Sequence, residues 1–301
     1  MKNINIKIEE FERKALTLNQ SELINYLQER RIFPRELSCS GCQNPLSINK
    51  YKKNIDGFAW RCATRQCSKF KQYFSLRKNT FLEGMRLDIR TVLRIIAKYG
   101  AGCTRISIQR SLNICKTTVL NVVKKIIRKI PPTDFKNDKL GGGDKIVQID
   151  EIMLNFKCKS HRGRSTTNKT DALCIVEYDG EITRVFATTI IDKKARTILP
   201  HIKQQVVSGS TIYTDEAKVY KSLCDEGYSH GSVCHKYKFV DYETGVHTQA
   251  VESFNNQVKR HIKWRMGVQT ELRQDFLKEF AFYYNNRKNY FVALLEALRF
   301  E

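Results

Sequence analysis

The sequence predicts an α/β chain in which a mixed sheet flanked by helices follows two smaller basic modules. Three observations predict it. Four cysteines fall in two closely spaced pairs, residues 87–130 carry apolar side chains at helical period, and from residue 145 short β-branched runs alternate with amphipathic segments. At 301 residues the chain has room for two or three units of the usual ~100–150 residues. We divide it into an N-terminal helical segment (1–37), a cysteine ribbon (38–80), a helical unit (81–131), a linker (132–144) and an α/β domain (145–301).

In the first segment Leu16, Leu18, Leu23, Ile24, Leu27 and Ile32 suggest one or two short helices, with Ser21 capping one that starts at Glu22. The ribbon follows: Cys39-x2-Cys42, a gap of 19 residues, then Cys62-x4-Cys67. Each pair presents two thiolates on a tight turn, and four thiolates close a tetrahedral shell around Zn²⁺, whose binding supplies folding energy that ~40 residues lack. Ten cysteines in a chain without a secretory signal read as free thiols or metal ligands rather than disulfides.

Leu87, Val92, Leu93, Ile95, Ile96 and Tyr99 then fit one helix, Ile106, Ile108 and Leu112 a second, and Val119, Val122, Val123, Ile126, Ile127 and Ile130 a third. Three helices in this order resemble a helix-turn-helix unit whose third helix enters the major groove of DNA. Lys116, Lys124, Lys125 and Arg128 on that helix, with Arg61 and Arg65 in the ribbon, are the candidate phosphate contacts. Pro131-Pro132 end the helix.

Charge points the same way. The chain carries +22 at pH 7, and residues 38–140 hold 22 Lys and Arg against 5 Asp and Glu, so most of the surplus lies there. A polyanionic partner such as double-stranded DNA relieves that self-repulsion. No apolar run approaches the ~18–20 residues of a membrane-spanning helix, and "MKNINIKIEEFERK" has no apolar core of a signal peptide, so an intracellular protein is expected, nuclear if its host is a eukaryote.

The α/β domain starts with three strand-like runs, "KIVQIDEIML", "ALCIVEYDG" and "TRVFATTII", the last two joined by a Tyr178-Asp179-Gly180 turn into a hairpin. An amphipathic helix "ARTILPHIKQQVV", a strand "STIYTD", and helices "EAKVYKSLCDEG" and "QAVESFNNQVKRHI" follow, and the apolar segment from Glu271 to Phe300 is expected to pack on the sheet. This order matches an RNase H-like sheet.

Asp150 ends the first strand and Asp215 the fourth, and neighbouring strands would bring both to one sheet edge, with Glu252 supplied from the later helix. Adjacent carboxylates repel unless a cation bridges them, and converging oxygens are what Mg²⁺ prefers. Singly, each also reads as a helix cap or turn residue. The doublets Asp150-Glu151 and Asp215-Glu216 leave open which member of each faces the site. Lys259 lies seven residues after Glu252, about two helical turns, on the same face as Glu252.

With "WRCATRQCSKFKQYFSLRKNTFLEGMRL", "VQIDE", "GSTIYTDEAKVY", "GYSHGSVCHKYKFVDYETGVHTQAVESFNNQVKR" and "DFLKEFAFYYNNRKNYF" in order, the chain resembles the DDE transposases of the Merlin superfamily and their bacterial insertion-sequence relatives from about Ser38 to Phe300. The resemblance implies a catalytic triad of Asp150, Asp215 and Glu252, spaced by 64 and 36 residues, holding Mg²⁺ or Mn²⁺. It also places Lys259 on the basic residue that follows the glutamate, and His247 on a histidine that supports the metal ligands from behind, touches DNA or is a plain loop residue; His230 and His235 read as bland. Two departures stand out: Asn255 where an aromatic is expected, and Glu216-Ala217 where glycine and an aromatic are expected. The implied activity is cleavage at terminal inverted repeats and strand transfer by a synaptic dimer or larger assembly. The alternatives are a retired transposase that only binds DNA and a nuclease without strand transfer.

Overall fold

The computed structural model describes residues 2–155, 169–233 and 245–300, and His235 lies outside them. They form two compact units, Met1–Ile130 with Lys288–Glu301, and Pro131–Arg287.

In the first unit, α1 (Lys2–Thr17) and α2 (Gln20–Glu29) are both present. Asn19, not Ser21, caps α2: its Oδ1 accepts from the Glu22 amide while the Glu22 carboxylate accepts from the Asn19 amide, a reciprocal capping box that satisfies two exposed donors. Three short antiparallel strands, β1 (Ser47–Lys50), β2 (Phe58–Arg61) and β3 (Tyr73–Ser75), make the ribbon. Arg77 ties it to the next segment: its guanidinium donates to Asp56 at 2.7 Å and to the Met85 and Leu87 carbonyls at 2.8 Å, with Arg77 and Asp56 both buried.

The helical unit comprises α3 (Ile89–Gly100), α4 (Arg105–Leu112) and α5 (Lys116–Lys129). Asp88 and Thr104 cap the first two, and Asn113, left-handed at φ 51°, stops α4. The apolar stripes read for α3 and α5 are buried, from Val92 and Ile96 to Val123 and Ile126, whereas Ile106 of α4 is exposed and only Ile108 of that helix is fully buried. The last helix, Tyr290–Ala297, belongs to this unit rather than to the sheet on which its sequence places it. Phe291 meets Phe11 edge-on at 5.3 Å and lies against Gly100, where a Cβ would collide with its ring.

The second unit is a five-stranded sheet of β4 (Ile146–Met153), β5 (Asp171–Asp179), β6 (Glu181–Ile190), β7 (Thr211–Asp215) and β8 (Ser229–Val233) in the order β6-β5-β4-β7-β8. The first three strands pair antiparallel, and β7 and β8 join parallel, which is the RNase H-like arrangement the sequence predicts. Gly180, at φ 69°, makes the expected hairpin turn. α6 (Ala195–Gln205) covers one face, burying Ile198 and Ile202 against Val147, Ile149 and Ile175. α7 (Gln249–Trp264) and α8 (Arg273–Asn285) cover the other, where Phe254, Val258, Leu277 and Phe280 meet Ile152, Cys174 and Val185.

Two further expectations change, and one strand is added. Residues 132–144 are not a free linker: Leu140 is fully buried, bridges to Val206 and joins the α6-side core, where its apolar side chain is removed from water. "EAKVYKSLCDEG" is a 3-10 turn at Lys218–Leu223 rather than an α-helix. β8 has no apolar alternation to reveal it, being an edge strand, "SHGSV", with Gly231 so close to Val246 that a Cβ would approach it to 2.8 Å.

Candidate active site

β4 sets the geometry. Alternation sends Val147 and Ile149 to the α6 side and Gln148 and Ile152 to the α7 side, so Asp150 faces α7 and Glu151 faces away. This settles the doublet. Glu151 accepts from the Tyr220 hydroxyl and pairs with Lys193 at 3.6 Å, and burial pushes its carboxyl upward against both partners.

Parallel pairing of β4 with β7 runs Ile146 to Thr211, Val147 to Ile212 and Gln148 to Tyr213. Two residues further along each strand stand Asp150 and Asp215, side by side at the carboxyl ends of adjacent strands. Burial, and then the proximity of the Asp215 carboxylate, raise the Asp150 carboxyl above its ordinary range, opposed by hydrogen bonds from the Glu151 amide and Asn255. Asp215 accepts the Ala217 amide at 3.0 Å. Because that bond is to backbone, the departure from glycine and an aromatic at 216–217 leaves it intact.

Helix α7 is pinned across this edge by Gln148. Its Oε1 accepts the Ala250 and Val251 amides at 2.9 and 3.1 Å, satisfying two first-turn donors that the N-cap residue Thr248 leaves without a side-chain cap. Its Nε2 lies 3.2 Å from His247 Nδ1, and His247 packs edge-on against Tyr178 at 5.5 Å. His247 therefore touches Gln148, the residue that accepts the first amides of α7.

Glu252 lies in the first turn of α7 and accepts the Thr248 hydroxyl at 3.1 Å. One turn on, Asn255 donates from Nδ2 to Asp150 Oδ2 at 2.8 Å. Lys259 is exposed two turns along the same helix. Among the described residues, the one group of three or more His, Cys, Asp or Glu whose ligand atoms converge closely enough to hold a metal ion is a set of four cysteines.

That set is Cys39, Cys42, Cys62 and Cys67, with Sγ atoms 3.8 Å apart across Cys39 and Cys67 and 3.9 Å across Cys42 and Cys62. A tetrahedron with metal–sulfur bonds of ~2.3 Å has edges of about 3.8 Å, so the donors fit a Zn²⁺-sized ion. Amides of Cys42 and Gly41 bring the Cys39 thiol down to about 6. The Lys69 amide pulls Cys67 down, but burial and the other thiols push it up to about 11.

Of the candidate phosphate contacts, Arg65, Lys116, Lys124 and Arg128 are exposed. Arg61 is half-buried over the Tyr73 ring at 5.4 Å, and Lys125 is tethered to the Glu83 carbonyl. His230, 2.8 Å from the Thr214 hydroxyl, keeps its bland reading. Sequence reasoning missed Gln148 altogether; a glutamine among β-branched strand residues two positions before Asp150 is the signal that marks it.

Residues 139–285 match the family model of the ISXO2-like transposase domain. An uncharacterized transposase-like protein of Haemophilus influenzae is 27% identical over 103 residues, 34% of this chain and 82% of that protein. Among solved structures, the Mos1 transposase paired-end complex with left transposon end matches at TM-score 0.21 and 9% identity over 66% of this chain and 75% of that one. The Mos1 strand transfer complex matches at 0.21 and 9% over 65% and 74%. Likeness that weak adds nothing to the fold, which rests on the sheet order itself. The match is carried by the domain that holds Asp150, Asp215 and Glu252, and that domain resembles the transposase domain of insertion sequences.

Proposed function

We propose that the chain binds the terminal inverted repeats of a DNA transposon and catalyses divalent-metal-dependent strand cleavage and strand transfer. The observation that carries this reading is the placement of Asp150 and Asp215 two residues beyond the last pair of adjacent parallel strands, at their carboxyl ends, within the matched transposase domain. The donor set is all oxygen and anionic, which suits Mg²⁺ or Mn²⁺. Such an ion, when bound, supplies positive charge that favours in-line attack on phosphorus.

Asp150 and Asp215 would hold it, and Glu252 would join them by turning from Thr248 toward the sheet edge. Lys259, exposed on the same helix face, offers an ammonium to a DNA phosphate. His247 and Gln148 keep the first turn of α7 in place. The four ribbon cysteines would hold a structural Zn²⁺, and α3 to α5 would act as a helix-turn-helix-like reader of the element's ends. Two ends must be cut together, so a homo-oligomer is the working form.

The test is cleavage and joining of labelled DNA that carries the element's ends, with Mg²⁺ or Mn²⁺, comparing the native protein with Asp215→Asn. Native protein should cut and join, and Asp215→Asn should lose both by at least ~10³-fold, a barrier increase of about 4 kcal/mol, while still binding the ends. Binding without cleavage by the native protein would favour a DNA-binding relic, and cutting without joining a nuclease.

A further inference from the structure

We propose that Asn255 is a positioning residue of the carboxylate site, holding Asp150 with one end of its amide and a donor from the hydration shell of the bound cation with the other. The inference rests on the metal-dependent reading above. Asn255 stands where the family resemblance calls for an aromatic, so its presence needs a physical account.

Asn255 is 3% exposed, and its Nδ2 donates to Asp150 Oδ2 at 2.8 Å. The Glu151 amide donates to Asp150 Oδ1, also at 2.8 Å. Each carboxylate oxygen therefore receives one donor, which fixes the side-chain rotamer and leaves a lone pair on each oxygen for a cation. An ionised carboxylate only accepts, so the amide nitrogen must face it, and Asn255 Oδ1 is left on the far side of the amide.

That Oδ1 is buried and has no hydrogen-bond partner among the described residues. Such an atom costs on the order of 1–3 kcal/mol, and in folded proteins it signals an ion or water that meets it. A residue whose only task was to fill space between α7 and β4 would be better served by leucine or an aromatic. An amide is favoured there only when both of its ends are engaged. One end is on Asp150; a hard cation held by Asp150 and Asp215 brings hydration-shell donors to the other.

The experiment measures Mn²⁺ affinity of the full chain by electron paramagnetic resonance, with zinc content and thermal unfolding recorded in parallel. Native protein should bind Mn²⁺ in a way that Asp150→Asn removes. Asn255→Leu should weaken Mn²⁺ binding about 10- to 100-fold, as loss of an outer-shell partner does, with zinc content and unfolding temperature held or raised. Asn255→Asp sets a second carboxylate against Asp150, so it should unfold at lower temperature without metal and recover with Mn²⁺. Native-like Mn²⁺ affinity in Asn255→Leu would overturn the positioning role and leave the metal reading intact. If Asn255→Leu fails to fold, Asn255→Asp decides, and no recovery with Mn²⁺ overturns the role. Absence of Asp150-dependent Mn²⁺ binding in the native protein would overturn the metal reading and the role with it.

Discussion

A single glutamine serves as a helix cap from another element. Gln148 is fully buried on β4, about 100 residues away in sequence from the amides it accepts. Replacing it with leucine keeps the volume but strands the Ala250 and Val251 donors at the start of α7. We predict that Gln148→Leu costs about 2 kcal/mol or more of stability, read from the urea midpoint, and reduces cleavage further because Glu252 and Asn255 ride on the same helix start. A native-like midpoint would show that the helix start finds other acceptors. A glutamine within "KIVQIDEIML" marks the position as unusual but does not name its partner, since capping is normally sought within a few residues of the helix itself. In the sequence Asn255 is visible only as a departure, and its bond to Asp150 becomes readable once α7 lies across β4.

Two elements make predictions of their own. The ribbon strands are three or four residues long, too short to fold on apolar burial, and the four thiols converge where a metal would anchor both turns. Metal analysis should find zinc bound, and a strong chelator should release it with loss of ribbon structure; protein purified without chelator that contains no zinc would refute this. On the sheet, Glu177 of β5 fastens residues 138–145: it accepts the Gly141 amide at 2.9 Å, the Thr183 hydroxyl at 2.6 Å and both the Nε and Nη2 of Arg184. Burial raises its carboxyl, but the Arg184, Thr183 and Gly141 hydrogen bonds win and lower it to about 2. Its folded value lies below its ordinary 4.5, so the stability it contributes is present above that value and is lost as pH falls toward 2. Glu177→Gln should therefore flatten the fall in unfolding free energy between those two values, and an unchanged slope would count against the latch.

At the scale of the whole molecule the dominant quantity is charge. Most of the surplus of cations lies in residues 38–140, and of the α5 candidates Lys116, Lys124 and Arg128 remain exposed while Lys125 is tied to backbone. Binding to DNA ends should weaken steeply with salt, and replacing those three with alanine should reduce the log–log slope by about 0.9 for each phosphate that is no longer neutralised. A slope unchanged by the triple substitution would place the DNA surface elsewhere.

What the sequence determined by itself is what local chemistry encodes. The cysteine spacing, the apolar stripes of α3 and α5, the β-branched runs and the Gly180 turn each depend on neighbours within a few residues, and each is found where it was read. Tertiary structure decided the rest. Which member of Asp150-Glu151 faces α7, that residues 132–144 join the core, that the last helix packs with Phe11 and Gly100, and that "SHGSV" is a strand all follow from partners far away in the chain. The physical reason is that a strand's two faces are equivalent until a helix is laid on one of them, and only the assembled sheet chooses which face receives α7.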